Sequence, residues 1–488
     1  MSNRSDMGVL AMVAVTVAGT LILVGLRPAD SQPAGTQSSG TKAANTVPVQ
    51  QRAVTCFGLP GHRSRSTIAV NRSTWRTRRV PEGDSRIAAS GSTAVDLTAF
   101  SAVTPDRAVG AGLAVQRCAE PARRWWFVGA VSTASRSGTL LLRAPDDTDA
   151  VTDVTLRGPD GVLDTVGTDD VRVAAGTTVR LPLTDLVAGA KQVAIEVDTS
   201  RGTVMAALAE TRADSSDPTG TEWLPPTAAP AETVLVPGVG GSGGASAGGK
   251  EVLVLANAAE RTVAVRPVLV TDAGRAVLPD LSAVQVPGGG TAAVPLPPNI
   301  GPGSTIELRA QAPISAAVRV VADNDIAIVV GAAALSESAV LPVDLGARVE
   351  VDPATTLTLS ALLVDPESQD VRSRTVEVRA LDAAGDVVAT GEVEINAGTS
   401  LAVDLAGVLR LSRSQTKAVS HVVVRARRVG TTGDISGDIS GDTSGAPVVA
   451  SFAARAAKEA NGIATMPLSS LNSTITVTPL IPRVSPAD

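Results

Sequence analysis

Beyond residue 137, short alternating apolar runs and glycine-marked turns recur about every 110 residues, which limits the chain to tandem copies of one β-rich unit. Each copy opens on an apolar run: TLLLRAP from Thr139, EVLVLANAA from Glu251 and TLTLSALLV from Thr356. An alternating run follows and ends in a turn, at Asp160-Gly161, Asp272-Ala273-Gly274 and Asp382-Ala383-Ala384-Gly385. The next strand closes at Gly176-Thr177, Gly290-Thr291 and Gly398-Thr399, and a short run then ends near Leu181, Leu296 and Leu405. Tight turns often need a positive φ, which glycine adopts without steric cost, so Gly176, Gly290 and Gly398 are expected to mark one equivalent turn. A closing hairpin is expected in each unit, pairing VAIEV with VMAAL, VRVV with IAIVV, and HVVVRAR with VVASF.

Alternation gives each strand one buried and one wet face, and about five to seven short strands per unit predict an antiparallel sandwich. A blade-type β-propeller is the structural alternative. Hydrophobic residues make up 44% of the chain, but aromatics make up 2% and Tyr is absent, so the cores must be built from Val, Ala and Leu. Each of these buries less area than Phe or Trp, and stability accumulates in small steps, which suits Val-rich sheets.

Gly8 to Leu26 is a run of 19 uncharged, mostly apolar residues, long enough nearly to span a hydrocarbon core. It reads as a transmembrane helix. The competing reading is a cleaved signal peptide, with small residues at Ala29-Asp30-Ser31, but the run is long for that. Residues 27–50 are rich in Pro, Ser, Thr, Gly and Gln and read as a flexible tether. Cys56 and Cys118 are the only cysteines and flank one compact region. They read as a structural disulfide formed in an oxidising space, the alternative being two separate buried thiols. A single-pass cell-membrane protein with its body extracytoplasmic is therefore expected.

The expected organisation is an N-terminal tail and anchor over 1–26, a linker over 27–50 and a basic, disulfide-linked β-domain over 51–137. Sandwich repeats follow over 138–236, 250–345 and 346–488, with a glycine-rich linker at 237–249. The acidic repeats are expected to project outward from the basic domain. AARAAKEANG from Ala453 has the composition of a short helix.

The formal net charge is −6, yet residues 51–143 hold 14 Arg, no Lys and 5 acidic groups. Arg63, Arg65, Arg72, Arg76, Arg78, Arg79 and Arg86 cluster against only Glu82 and Asp84. Such a patch near the membrane suits an anionic lipid or wall polymer, the alternative being that it solvates a surface or neutralises the acidic repeats. Nucleic acid is not an expected partner, since the chain is acidic overall and has few rings for base stacking.

The single anchor, Cys56, and the stretch from Cys118 through Trp125-Trp126-Phe127-Val128-Gly129 into TLLLRAP resemble an uncharacterised actinobacterial family of secreted or membrane-anchored proteins with a domain of unknown function. The resemblance covers most of the chain and implies no activity.

Candidate chemistry is sparse. Gly244-x-x-x-x-Gly249-Lys250 approaches a phosphate-binding loop, but Glu251 stands where Ser or Thr would hold magnesium, and a strand follows instead of a helix. Two Gly-x-Ser-x-Gly matches at Gly240 and Gly244 come from the same low-complexity run. His62 and His421 are the only histidines, in distant regions, and supply neither a metal pair nor a triad. His421 opens an alternating run and is expected on a solvent-facing edge. Asp434, Asp438 and Asp442 repeat every four residues and read as a solvated loop, with calcium as the alternative. Trp75, Trp125, Trp126, Phe57, Phe100 and Phe127 gather in the first domain, where core packing is the ordinary reading and a sugar platform the alternative. No cofactor or metal is expected. The expected role is non-catalytic, an envelope protein that interacts with or scaffolds other envelope components. Two alternatives stand beside it: an extracytoplasmic hydrolase using two close carboxylates, and a carbohydrate-binding module presenting Trp125 or Trp126 on a flat surface.

Overall fold

In the computed structural model the described residues are 45–60, 66–80, 83–103, 113–212, 221–240, 250–278, 281–322, 325–346, 349–350, 357–363, 373–427, 446–456 and 462–477. Gly8–Leu26 lies outside them, as do His62, Arg63, Arg65, Gly244–Gly249 and Asp434–Asp442. Among the described residues, no helix is long and apolar enough to cross a membrane. One compact unit spans Met1–Val47 and Thr476–Asp488, and a second spans Pro48–Ile475. Strand β1 (Asn45–Pro48) and the last strand, Thr474–Val477, form a two-stranded sheet.

Val-rich alternating runs form antiparallel strands throughout. The N-terminal module holds β2 (Gln51–Cys56), β3 (Ser66–Asn71), β4 (Trp75–Val80), β5 (Ser85–Ser90), β6 (Thr98–Val103) and β7 (Ala114–Arg117). β2 pairs β5, and the other four form a sheet in the order β4-β3-β6-β7. Their core gathers Val54, Ile68, Val80, Ile87, Leu97 and both cysteines.

The first repeat holds β8 (Arg124–Ser132), β9 (Arg136–Arg143), β10 (Ala150–Gly158), β11 (Gly161–Val162), β12 (Val171–Val173), β13 (Thr178–Pro182), β14 (Ala190–Arg201), β15 (Met205–Arg212) and β16 (Glu222–Leu224). The second holds β17 (Ala231–Val239), β18 (Lys250–Asn257), β19 (Val263–Thr271), β20 (Gly274–Val277), β21 (Val284–Val286), β22 (Thr291–Pro295), β23 (Ser304–Ala322) and β24 (Asp325–Val330). The third holds β25 (Ser338–Pro342), β26 (Val349–Glu350), β27 (Leu357–Ala361), β28 (Ser373–Leu381), β29 (Val387–Asn396), β30 (Ser400–Val403), β31 (His421–Ala426), β32 (Val448–Ala456) and β33 (Ile463–Pro467), and the terminal strand is β34.

One order of strand pairing recurs in the three stretches. β14 lies between β10 and β8, the first half of β23 between β19 and β17, and β31 between β28 and β25. Likewise β15 lies between β9 and β16, the second half of β23 between β18 and β24, and β32 between β27 and β33. The repeated unit thus takes in β8, ahead of residue 138. The expected hairpins VAIEV–VMAAL and HVVVRAR–VVASF are not pairs: β14 and β15 lie in one nine-stranded sheet with β8 and β9 between them, and β31 and β32 lie in different sheets. VRVV does pair with IAIVV, through the second half of β23 and β24. Residues 237–239 continue β17, and 453–456 continue β32 where a short helix was expected.

The equivalent turns are Ala174–Thr177, Pro287–Gly290 and Asn396–Thr399, each closed by a hydrogen bond from its fourth N–H to its first carbonyl. Their third residues are Gly176, Gly289 and Gly398, at φ 67°, 62° and 77°. Gly289, not Gly290, is therefore the structural counterpart, because a type II turn requires positive φ at its third position.

The modules do not project separately. The outer face of β9, β15 and β16, through Leu141, Met205, Ala209 and Trp223, packs on Phe57, Leu59 and Val103 of the N-terminal module. Val254, Ala256, Ala317, Ile328 and Val330 of the second repeat join the core of the first. The second meets the third through the buried Ser400 hydroxyl, which donates to Gly303 O at 2.7 Å and pairs with the Thr305 hydroxyl at 2.8 Å. Trp75, Phe100, Ala102, Leu113 and Val115 of the N-terminal module enter the core of the third. These contacts cover the apolar residues named with the neighbouring module.

Candidate functional site

Strand β4 is an edge strand of its sheet, its Trp75 N–H donating to Ala383 O at 2.9 Å, with Trp75 and Val80 buried and Arg76, Arg78 and Arg79 exposed. Arg72, in the turn before it, is exposed as well. Among the described residues none of these four guanidiniums makes an ion pair. Arg86 differs from them, since its Nε lies 2.8 Å from Asp146. Asp84 is also engaged, accepting from the Gly58 N–H at 3.0 Å and the Thr178 hydroxyl at 2.6 Å. Charge along an edge strand discourages unwanted strand pairing, which is its ordinary structural use.

Cys56 ends β2, Cys118 follows β7, and the two are joined as a disulfide with Cα atoms 4.3 Å apart. Thr55 and Ala119 beside them exchange main-chain hydrogen bonds of 2.9 and 2.8 Å.

β7 is the opposite edge of the same sheet. Its Cys118 end donates to Ala99 O, and the register Gln116↔Ser101 and Ala114↔Val103 directs alternate N–H groups to β6. Leu113, Val115 and Arg117 therefore turn their N–H groups outward. No strand lies there. Instead Asp325 Oδ2 accepts from Leu113 at 3.2 Å and from Ile463 at 2.8 Å, which ties β7 to β33. The Val115 N–H is directed at Glu222, whose Oε1 also accepts from the Trp223 N–H at 2.8 Å. Two side chains thus stand in for a missing strand. Asp325 is fully buried and Glu222 is 1% exposed. Burial pushes the Asp325 carboxyl up to about 7 against the pull of its amide donors and Arg136. Burial also raises Glu222 well above the carboxylate range, and the nearby Asp325 charge adds to this. Glu210 lies in the same interior, paired to Arg136 at 3.1 Å and to Arg319 at 2.9 Å, and Arg319 also donates to Gly129 O at 3.0 Å.

Beyond Val115 the row opens into a cleft of about 300 Å³ between β7, β16 and β33. Trp125, Trp223, Pro225, Pro226, Met466 and Pro467 supply its apolar wall, and Gln116, Arg117, Glu120 and Asn472 its polar side. The Trp125 indole is half-buried and pinned by donating to Val204 O at 2.9 Å. Trp223 Nε1 is buried and has no acceptor among the described residues. Glu120 receives Arg52 at 3.4 Å and Arg117 at 3.1 Å. Burial and the Arg52 charge outweigh Glu120 at Arg117, leaving its guanidinium below the ordinary arginine range.

Neither Glu222 nor Asp325 lines this cleft. The only trace of them in the sequence is a carboxylate at the head of an apolar run, as in EWL from Glu222 and DIAIVV from Asp325. Trp126 is 4% exposed beneath the Arg157 guanidinium, 5.3 Å from its ring centre. His421, expected at a wet edge, is 2% exposed on the interior strand β31. Its Nδ1 pairs with the Ser420 hydroxyl at 2.8 Å, and burial lowers its pKa to about 4. The correction has a physical cause, since the partner that shields it, Trp75, comes from the N-terminal module. Among the described residues no group of three or more His, Cys, Asp or Glu could hold a metal ion.

A model of DUF5719, a family of unknown function, matches residues 75–406, well over half of the chain, and the chain belongs to that family. No curated protein matches it.

Proposed function

We propose that this DUF5719 protein is a non-catalytic, membrane-anchored envelope protein with an interaction or scaffolding role. In this reading Gly8–Leu26 is its single membrane span, its body is extracytoplasmic, and the N-terminal module meets an anionic lipid surface or wall polymer. The observation that carries it is the row of exposed arginines without ion-pair partners on and beside β4: Arg72, Arg76, Arg78 and Arg79. Four guanidiniums near an anionic surface gain about 1 kcal/mol each, decaying over roughly 8–10 Å at physiological salt. The disulfide supports an oxidising compartment. Other envelope proteins are the remaining partner class.

The test compares full-length protein with a variant carrying Gln at Arg76, Arg78 and Arg79 on anionic and neutral vesicles across a salt series. The wild type is expected to show a salt-sensitive, anion-specific component that the variant lacks. Equal behaviour of the two proteins removes the reading.

A carboxylate-dependent hydrolase is the second reading, favoured by the raised pKa values of Glu222 and Asp325. Both are sealed in the interior and make main-chain contacts that a structural role explains, so the binding reading is preferred.

A further inference from the structure

We propose that the cleft between β7, β16 and β33 binds the C-terminal end of an extended peptide, with its carboxylate at Arg117 and its apolar terminal side chains against Trp125, Trp223 and Met466. Three observations on different atoms point there. First, the Arg117 N–H is the next member of the outward row on β7 whose earlier members, Leu113 and Val115, already face carboxylate oxygens of Asp325 and Glu222. A carboxylate at the third position continues a pattern the chain itself uses twice, and an extended peptide at an open strand edge is a general recognition mode.

Second, Trp125, Trp223, Met466 and the prolines Pro225, Pro226 and Pro467 give the cleft an apolar wall beside that edge. Apolar terminal side chains of a peptide cover such a wall, while its chain end stays at the polar side. Third, the charge at the cleft's polar side is unbalanced. Arg52 and Arg117 share Glu120 and otherwise donate to the carbonyls of Val95, Asn472 and Ser469, so among the described residues one positive charge there has no carboxylate of its own. A terminal carboxylate balances it and accepts from both the guanidinium and the main chain. A volume of about 300 Å³ suits one or two side chains of an extended end, not a folded domain.

This site is built from residues other than the β4 arginines, and neither reading depends on the other. The test immobilises the full-length protein and pans it against a displayed library of random hexapeptides with free C-termini. Selected peptides are then synthesised as free acids and as C-terminal amides, and their affinities measured by fluorescence polarisation. Enriched sequences are expected to end in apolar residues, with the acid binding at least about tenfold tighter than the amide. Arg117→Met is expected to erase that difference, and Trp125→Ala, which removes part of the apolar wall, to weaken both forms. Gln at Arg76, Arg78 and Arg79 is expected to leave peptide binding unchanged, which separates this site from the anionic-surface reading. Thermal melts check that the variants fold, and if either does not, the acid-to-amide comparison on the wild type decides. No enrichment above the Arg117→Met protein, or equal affinity for acid and amide, overturns the proposal.

Discussion

The indole of Trp75 stacks on the imidazole of His421, with ring centroids 4.9 Å apart and planes tilted by 11°. The contact joins an edge strand of the N-terminal module to an interior strand of the third repeat. Trp75 Nε1 completes it by donating to Asp344 O at 3.0 Å, and the Thr77 hydroxyl donates to Asp344 Oδ2 at 2.9 Å. Burial there holds His421 neutral, with its pKa lowered from 6.5 to about 4 while Asp382 pulls weakly upward.

The unfolded chain therefore takes up a proton at His421 between pH 6.5 and 4 before the folded one does. Stability present above 6.5 is lost as the pH falls through this window, by about 3 kcal/mol in total. His421→Phe keeps a stacked ring without a titrating nitrogen. Its thermal midpoint, followed by circular dichroism, is expected to lose this acid-side decline. An unchanged decline would assign the acid sensitivity to another group.

Asp325 acts with the opposite sign. Its pKa rises from 3.8 in the unfolded chain to about 7 in the folded one, so stability present below 3.8 is lost as the pH rises through 7. The full loss is about 4 kcal/mol. The groups facing it are the Leu113 and Ile463 amides, Glu222 and Arg136. In the wild type the Asp325 and His421 slopes oppose between pH 4 and 6.5. Asp325→Asn is expected to uncover the His421 slope, so that melting rises with pH across that interval. A variant whose profile still falls with rising pH would show that Asp325 does not carry the alkaline limb.

Gly176→Ala, Gly289→Ala and Gly398→Ala each force a side chain into positive φ and are expected to cost about 1–2 kcal/mol. Gly301→Ala is the control, because a Cβ there meets nothing within 4 Å and φ is not positive. Its cost is expected to stay within about 0.5 kcal/mol in urea unfolding. Equal costs at Gly289 and Gly301 would contradict the turn assignment.

Replacing Cys56 and Cys118 by Ser removes a cross-link spanning 62 positions. On the chain-entropy argument the loss is about 4 kcal/mol. Peptide mapping without reductant is expected to recover the two cysteines of the wild type in one linked species, and the double variant to unfold at lower urea.

The amino-acid order alone determined the β-rich, antiparallel class and the pairing of the only two cysteines. These are local or counting properties: period-two alternation places one face inward wherever a strand forms, and two cysteines flanking one compact region leave a single bridge available. It also named a cluster of seven arginines, of which Arg72, Arg76, Arg78 and Arg79 are exposed on and beside β4 and Arg86 is paired to Asp146. Only the tertiary structure decided the rest. The segments VAIEV and VMAAL adjoin in the chain yet have β8 and β9 between them in the sheet, since the hydrophobic pattern selects a face but not the strand that lies alongside. The turn glycine was Gly289 instead of Gly290, because three consecutive glycines are equivalent in composition and only φ distinguishes them. His421 was dry and Asp325 and Glu222 were strand substitutes because the groups that desolvate them belong to other modules. No window of sequence around a residue contains the surface that a distant module lays against it.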